Sequence, residues 1–370
     1  MLKLAWRNLT NEPTRMAISV AGIALALVLI LVIAGIFAGS EEFAVAYIKN
    51  EPAPIWLMQS GVSNMHMSSS YIAPELITEA EQIVGVKDIT GVLYSGGNLE
   101  SGEDSILGYI IGVDPQAEIG GPWKLVEGRQ NPERDEIVID AELAKRLGVE
   151  LGDNLSLYDQ DHEIIGLSRG NFGIGSSLAF VNKQTLSEWM AVQPDAASFA
   201  LVRPEVGFDV DGLAARMQSE LPDLNVMQQA EFAASDKELI RQMGVDIIRA
   251  MNIIAYIVGL LVIGLTIYTA TLERAREYGM LKALGANNAR LAIVVLGQAL
   301  ISAALGILLG VGVAYGVATL ITKVSPDMLI LIDPAYVLNQ VPIMAVVTGL
   351  AALLPASRIA NLDPAIAFKA

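Results

Sequence analysis

A chain of 370 residues that is 53% hydrophobic, with a mean hydropathy of +0.48, keeps part of its length in lipid. It has no cysteine and two histidines, which excludes a disulfide framework and leaves little material for a thiolate or histidine metal cluster. The net charge of −16 is uneven: residues 40–240 hold 33 acids and 12 bases, and the remainder 7 acids and 12 bases. An acidic middle repels nucleic-acid phosphates, so the asymmetry speaks of membrane topology and not of DNA or RNA.

In chain order, residues 1–15 put Leu2, Trp6 and Leu9 on one face of a short amphipathic helix, expected on the inner leaflet and stopped by Asn11 and Pro13. Met16–Ala38 then runs 23 residues without a charge, enough to cross a bilayer core at 1.5 Å per residue. The run is too long for a cleaved leader and reads as an anchor. Three more spans are expected at 246–271, 291–322 and 337–357. The third holds 32 uncharged residues (291–322), about 48 Å as helix, so it must tilt, kink or project from the lipid. Lysines and arginines gather in 1–15, in 272–290 and in the 358–370 tail, whereas the 323–336 loop has one lysine. Both termini and the 272–290 loop are therefore expected in the cytoplasm, and residues 39–245 outside. The apolar runs within these spans, 16–38, 250–270, 291–322 and 337–356, carry no charge, which argues against an ion-coupled carrier.

Residues 39–245 read as an α+β extracytoplasmic domain inserted between helices 1 and 2 of a four-span α-helical membrane protein. "PIWLMQS", "SILGYIIGV", "DEIVID", "GDNLSLYD" and "HEIIGLS" read as strands; "PELITEAEQIVG" and "AELAKRLG" read as helices. "ASFALVRPE", "DVDGLAARMQSELP" and "LNVMQQ" follow as β-α-β, like a small ferredoxin-like unit. Two subdomains are expected. After Ala230 the pattern is helical into the second span, with Leu239, Met243, Ile247 and Met251 at steps of four. That predicts a stiff stalk with no flexible linker.

Several motifs invite chemistry. "LYSGGNL" at 93–99 looks like an ATPase signature, but no GxxxxGK[ST] phosphate loop occurs, so a glycine turn between strands is expected there. Met65, His66 and Met67 carry soft ligands that would suit copper or haem iron, but a polar loop with incidental methionines is the commoner arrangement, and no metal is expected there. Acid pairs such as Glu103–Asp104 lack EF-hand spacing and read as solvated surface, and no GxSxG or Ser-His-Asp pattern suggests catalysis. Gly306/Gly310 and Gly312/Gly316 stand four apart, which allows close helix packing, within the subunit or across a dimer.

The connector "TLERAREYGMLKALGANNAR" at 271–290 carries more chemistry than a link requires. Gly279 is expected to break the helix leaving the second span, and "MLKALG" to form a short helix closed by Gly285. Met280, Leu281 and Leu284 would then form an apolar ridge edged by Arg276 and Lys282, suited to a groove on a partner. The alternative is a helix lying on the lipid surface.

This stretch resembles the coupling segment of MacB/FtsX-like (type VII) ABC permeases. The family pattern R-x-x-E-[IY]-G-x-[LM]-[RK]-A-[LI]-G-A is matched by Arg274, Glu277, Tyr278, Gly279, Leu281, Lys282, Ala283, Leu284, Gly285 and Ala286. "PASRIANLDPAIAF" at 355–368, "LKLAWRNL" and "DEIVIDAELAKRLGVELGDNLSL" are similar to family segments too. The resemblance implies a homodimer that binds two copies of a separate cytoplasmic ABC ATPase, which carries the ATP and magnesium, with no cofactor on this chain. It implies that the ATPase docks around Gly279–Gly285 and drives an external domain by mechanotransmission. The cargo would be amphiphilic: lipid, lipoprotein, haem or peptide. A membrane-fusion adaptor belongs to some such systems. Macrolide-efflux members have a fused ATPase, which this sequence lacks. The alternative role is an ATP-driven signalling module that activates an external hydrolase or sensor without transport.

Overall fold

The computed structural model describes residues 13–173, 176–273, 275–284, 286–325 and 328–360. The expected helix at 1–15 therefore lies almost wholly outside the described residues, as does the 361–370 part of the tail. The chain divides into two compact units. One holds residues 39–243 with 325–328, and the other holds the long apolar helices.

The inserted unit is built on an eleven-stranded sheet. Four strands form its first half: β1 (Ile55–Gln59), β2 (Val86–Ser101), β10 (Phe199–Pro204) and β11 (Leu224–Gln228). They lie in the order β11-β1-β10-β2, every neighbour antiparallel. With α3 (Pro74–Glu81) after β1 and α6 (Val210–Glu220) between β10 and β11, this is the ferredoxin-like β-α-β-β-α-β arrangement. Strand alternation serves two cores at once. Ile55 and Leu57 face α3 and α6, packing with Leu213 and Met217. Trp56 and Met58 face the opposite core, with Phe199, Phe180 and Phe232.

The second half is spliced between β2 and β10. It contains β3 (Asp104–Val113), β4 (Leu125–Gly128), β5 (Glu136–Asp140), β6 (Asn154–Leu157), β7 (Gln160–Ser168), β8 (Phe172–Gly173) and β9 (Ser176–Asn182), with α4 (Ala141–Leu147) and α5 (Lys183–Met190). β3 and β9 are parallel, as are β5 and β7. Asp140 caps α4 by accepting from the Glu142 amide at 2.9 Å, and Gly148 ends it at φ +68°. This second half is nested inside the first, within one continuous sheet and one compact unit.

One strand joins the halves and corrects a reading. β2 pairs with β10 as far as Val92 and with β3 from Leu93, so "LYSGGNL" is strand interior and not a turn. The chain reverses later, where Ser101 pairs with Asp104 and Gly102 takes φ +62°. The glycine at 97 makes room for a neighbour. A methyl on Gly97 would sit 3.0 Å from the Tyr158 ring, and the Tyr158 hydroxyl donates to the Gly96 carbonyl at 2.6 Å. A glycine pair inside a strand marks close approach as readily as reversal.

Four helices among the described residues are long and apolar enough to span a membrane: α1 (Pro13–Ala44), α7 (Gln229–Glu273), α9 (Asn288–Val324) and α10 (Pro334–Ala360). Two short helices complete the chain, α2 (Ala46–Asn50) and α8 (Ala275–Ala283). The apolar unit has its own core, with Ile23, Leu27 and Ile30 of α1, Ile263 of α7, Val295 and Ala299 of α9, and Met344 and Ala351 of α10. Its glycine pairs separate cleanly. A methyl on Gly306 would lie 2.6 Å from Ile23 Cβ, and one on Gly310 would lie 3.0 Å from the Ala24 carbonyl, so this pair seats α9 on α1. Methyls on Gly312 or Gly316 would meet nothing within 4 Å. Polar ties cross from α7 to α10. Asn252 donates to the Tyr336 hydroxyl at 2.8 Å, and the Tyr256 hydroxyl donates to Gln340 at 2.5 Å.

Candidate coupling site

α7 is described as far as Glu273 and α8 from Ala275, on either side of Arg274. Gly279 was expected to break the helix, but it lies inside α8 and is buried. The described helix from Ala275 to Ala283 includes both Tyr278 and Gly279. Arg274 and Gly285, both expected in the site, lie outside the described residues.

The remaining residues sort by face. Tyr278 is buried and belongs to the apolar core, with Leu291, Val295 and Ala299 of α9. It anchors α8. Met280, Leu281 and Leu284 point away, and Leu284 is 85% exposed. Arg276 and Glu277 are exposed and Lys282 half-buried beside that ridge. The helix closes tightly. The Leu284 amide donates to the Met280 carbonyl at 3.0 Å and the Ala286 amide to the Leu281 carbonyl at 2.9 Å, the wide bond that ends a helix in a Schellman-type turn. Asn287 then starts α9, its side chain accepting from the Ala289 amide at 3.2 Å. A nine-residue helix (Ala275–Ala283) held by one aromatic anchor and closed at its C-terminal junction with α9 presents an apolar ridge.

The other end of α7 is fixed as firmly. Its first residues lie in the inserted unit's core: the Phe232 ring is 5.3 Å from Trp56 and 5.6 Å from Phe199. One turn on, the fully buried Asp236 accepts from the Met65 amide at 2.9 Å, the His66 amide at 3.3 Å and His66 Nδ1 at 2.6 Å. Lys237 donates to Glu42 of α1, which also takes Lys49 at 2.6 Å. Sequence reasoning missed Asp236, because its partners are 170 residues away and no local spacing announces them.

These contacts also place the methionine–histidine cluster. Met65 is buried in the core, Met67 is 62% exposed, and His66 is bonded to Asp236 with its ring 4.9 Å from Tyr109. The three side chains do not converge, and among the described residues no group of three or more His, Cys, Asp or Glu could hold a metal ion. His162 is buried against Trp189, ring centroids 5.2 Å apart, and burial holds its pKa below the ordinary value.

Comparison with known proteins places this architecture. The MacB-like periplasmic core domain matches residues 16–220 and the FtsX-like permease C-terminal domain residues 249–364. An uncharacterized ABC transporter permease of Mycobacterium bovis is 23% identical over 371 residues, covering 100% of this chain and 99% of the relative. One of Mycobacterium tuberculosis is 22% identical over 373 residues with the same coverage. Among solved structures, the periplasmic region of MacB from Actinobacillus actinomycetemcomitans aligns with a TM-score of 0.37 at 15% identity, over 50% of this chain and 92% of that one. The extracellular domain of the ABC-type transporter YknZ from Gram-positive bacteria aligns with a TM-score of 0.35 at 15% identity, over 47% and 98%. Two domain families in this order, one of them over more than half of the chain, make it a member of the MacB/FtsX-like ABC transporter permeases.

Proposed function

We propose that this permease is the membrane subunit of an ATP-driven exporter or extractor, coupled to its ATPase through the α8 ridge. An ABC permease implies a cytoplasmic ATPase partner. In this reading the α7–α9 connector and both termini face the cytoplasm, at the plasma membrane of a bacterium. Two ATPase copies meet a homodimer of this chain. Nucleotide-driven closure of the ATPases moves α8, and α7 carries that motion to the inserted domain by mechanotransmission. ATP and magnesium act on the partner, and this chain performs no hydrolysis. The cargo class is amphiphilic, handled at the outer domain, with a membrane-fusion adaptor where a second envelope layer exists.

The observation that carries the reading is one uninterrupted helix. α7 runs from Gln229 to Glu273, 45 residues or about 68 Å at 1.5 Å each. Its first turns are packed in the inserted domain's core, and α8 follows its last. A helix transmits displacement where a flexible loop would absorb it. The ridge adds the docking chemistry, an apolar i, i+1, i+4 set edged by charge.

Leu284→Asp places a charge on the ridge without touching either core. In liposomes containing the permease and its ATPase, the variant should lose at least about tenfold of the permease-dependent stimulation of hydrolysis, equivalent to about 1.4 kcal/mol of coupling. Thermal unfolding of the permease should be unchanged. Full stimulation by the variant would remove the ridge from the account.

A further inference from the structure

The inserted domain has a cleft that the coupling reading does not use. We infer that this cleft, between α3, β2 and the start of α5, binds a small zwitterion, neutral or net cationic, through an ammonium on its acids and an acidic group on Lys183. The inference goes beyond the coupling reading and does not depend on it, since a chain unable to dock an ATPase would keep the cleft.

Its volume is about 440 Å³, within the range of small-molecule sites. It lies beside the β2 segment Ile89–Gly91, just before that strand exchanges β10 for β3, a seam between the two halves of the sheet. Ile77 and Ile89 give it apolar walls, and Thr78 and Thr90 add hydroxyls. Three carboxylates, Glu81, Asp114 and Asp195, line it together with one ammonium, Lys183.

Lys183 is positioned with care. It is the first residue of α5, whose amides at Gln184 and Thr185 are capped by Asn182 at 2.9 and 3.4 Å. Gly112 of β3 lets the helix approach: a methyl there would lie 3.1 Å from Lys183 Cα. Gly91 of β2 leaves room for the ammonium, since a methyl there would lie 3.1 Å from Nζ and 3.0 Å from Ala197 Cβ. Among the described residues no ion pair or hydrogen bond ends on that ammonium, although Asp195 and Asp114 lie near enough to act on it. Burial depresses its pKa, against the pull of those acids. A half-desolvated cation without a partner gains most from an oxyanion brought by a ligand. The surplus of acids around it excludes a purely anionic ligand and favours one that also carries an amine. Two sources offer that chemistry: the free end of a peptide or amino acid, and an aminophosphate such as a phosphoethanolamine headgroup.

Full-length permease in phosphatidylcholine nanodiscs would be titrated calorimetrically with diglycine, with glycerophosphoethanolamine (a phosphodiester, net neutral) and with N-acetylated diglycine. At least one of the first two should saturate with a Kd at or below about 1 mM. The better of them names the source. The acetylated compound, lacking the ammonium, should bind at least about tenfold more weakly than diglycine if diglycine is the ligand, or not at all if glycerophosphoethanolamine is. Lys183→Gln and, separately, Asp195→Asn should each weaken binding by about tenfold with the thermal midpoint retained. No saturation with either zwitterion, unchanged binding by a folded Lys183→Gln or Asp195→Asn, or acetylated diglycine equal to diglycine would overturn the assignment. Should Lys183→Gln fail to fold, the Asp195→Asn variant and the wild-type probe series decide.

Discussion

The inserted domain and the apolar helices bury side chains for different reasons. In the inserted domain the large apolar residues left exposed are scattered singly, such as Val84, Leu107, Val126 and Val206. On α7 they form a run, with Ile253, Ile254, Ile257, Val258, Leu261 and Leu265 all exposed. Water drives the first pattern and lipid permits the second. An exposed leucine in the helices therefore says nothing about a partner, whereas Leu284, in the connector beyond the span, is the residue our proposal sets against one. The same contrast sets the cost of substitutions: core deletion costs most in the inserted domain, and steric fit decides between the helices.

The largest effect is expected at Trp56, fully buried among Phe199, Phe232 and Tyr47. Trp56→Ala should destabilise the inserted domain by roughly 3–5 kcal/mol, read from denaturant unfolding of the detergent-solubilised chain. A loss below about 1 kcal/mol would show that the ring cluster is not the domain's core.

Next comes a buried carboxyl. Glu51 is 4% exposed and accepts from the Gly120 amide at 2.9 Å, and burial raises its pKa from 4.5 to about 7. The folded state therefore holds the proton more tightly than the unfolded chain. Stability should fall as pH rises from 4.5 to 7 and level off above, a total of about 3 kcal/mol. Glu51→Gln should abolish that slope and stabilise the domain at pH 8, as monitored by tryptophan fluorescence. A retained slope would assign the pH dependence elsewhere.

The glycine pairs give the smaller pair of effects, of opposite sign. Gly306→Ala drives a methyl against Ile23 and should cost roughly 1–3 kcal/mol. Gly312→Ala meets nothing and should be neutral or gain up to about 1 kcal/mol from helix propensity. Equal midpoints in micelles would erase the distinction between the two faces.

Much of this was legible in the sequence. Charge-free runs locate lipid-crossing helices because hydrocarbon forbids charge, and the strand and helix segments of the inserted domain follow from period and capping residues. What was misread depended on distant partners. Gly96 and Gly97 look like a reversal until Tyr158 is known to lie over them. His66 resembles a soft metal ligand until Asp236, far along the chain, takes its ring nitrogen. Gly279 signals a break by propensity, but the packing of Tyr278 carries the helix through it. The nested order of the sheet, with one half spliced into the other, has no local signature at all.

The central claim is that the α8 ridge meets an ATPase on the inner side of the membrane. Because the chain has no cysteine, Leu284→Cys gives a single thiol on that ridge, and Val206→Cys a fully exposed one in the inserted domain. Cells expressing each variant would be treated with a membrane-impermeant maleimide, intact and as inverted vesicles. The account predicts labelling of position 206 only in intact cells, and of position 284 only in inverted vesicles, where added partner ATPase protects it. Labelling of position 284 in intact cells, or no protection by the ATPase, would contradict it.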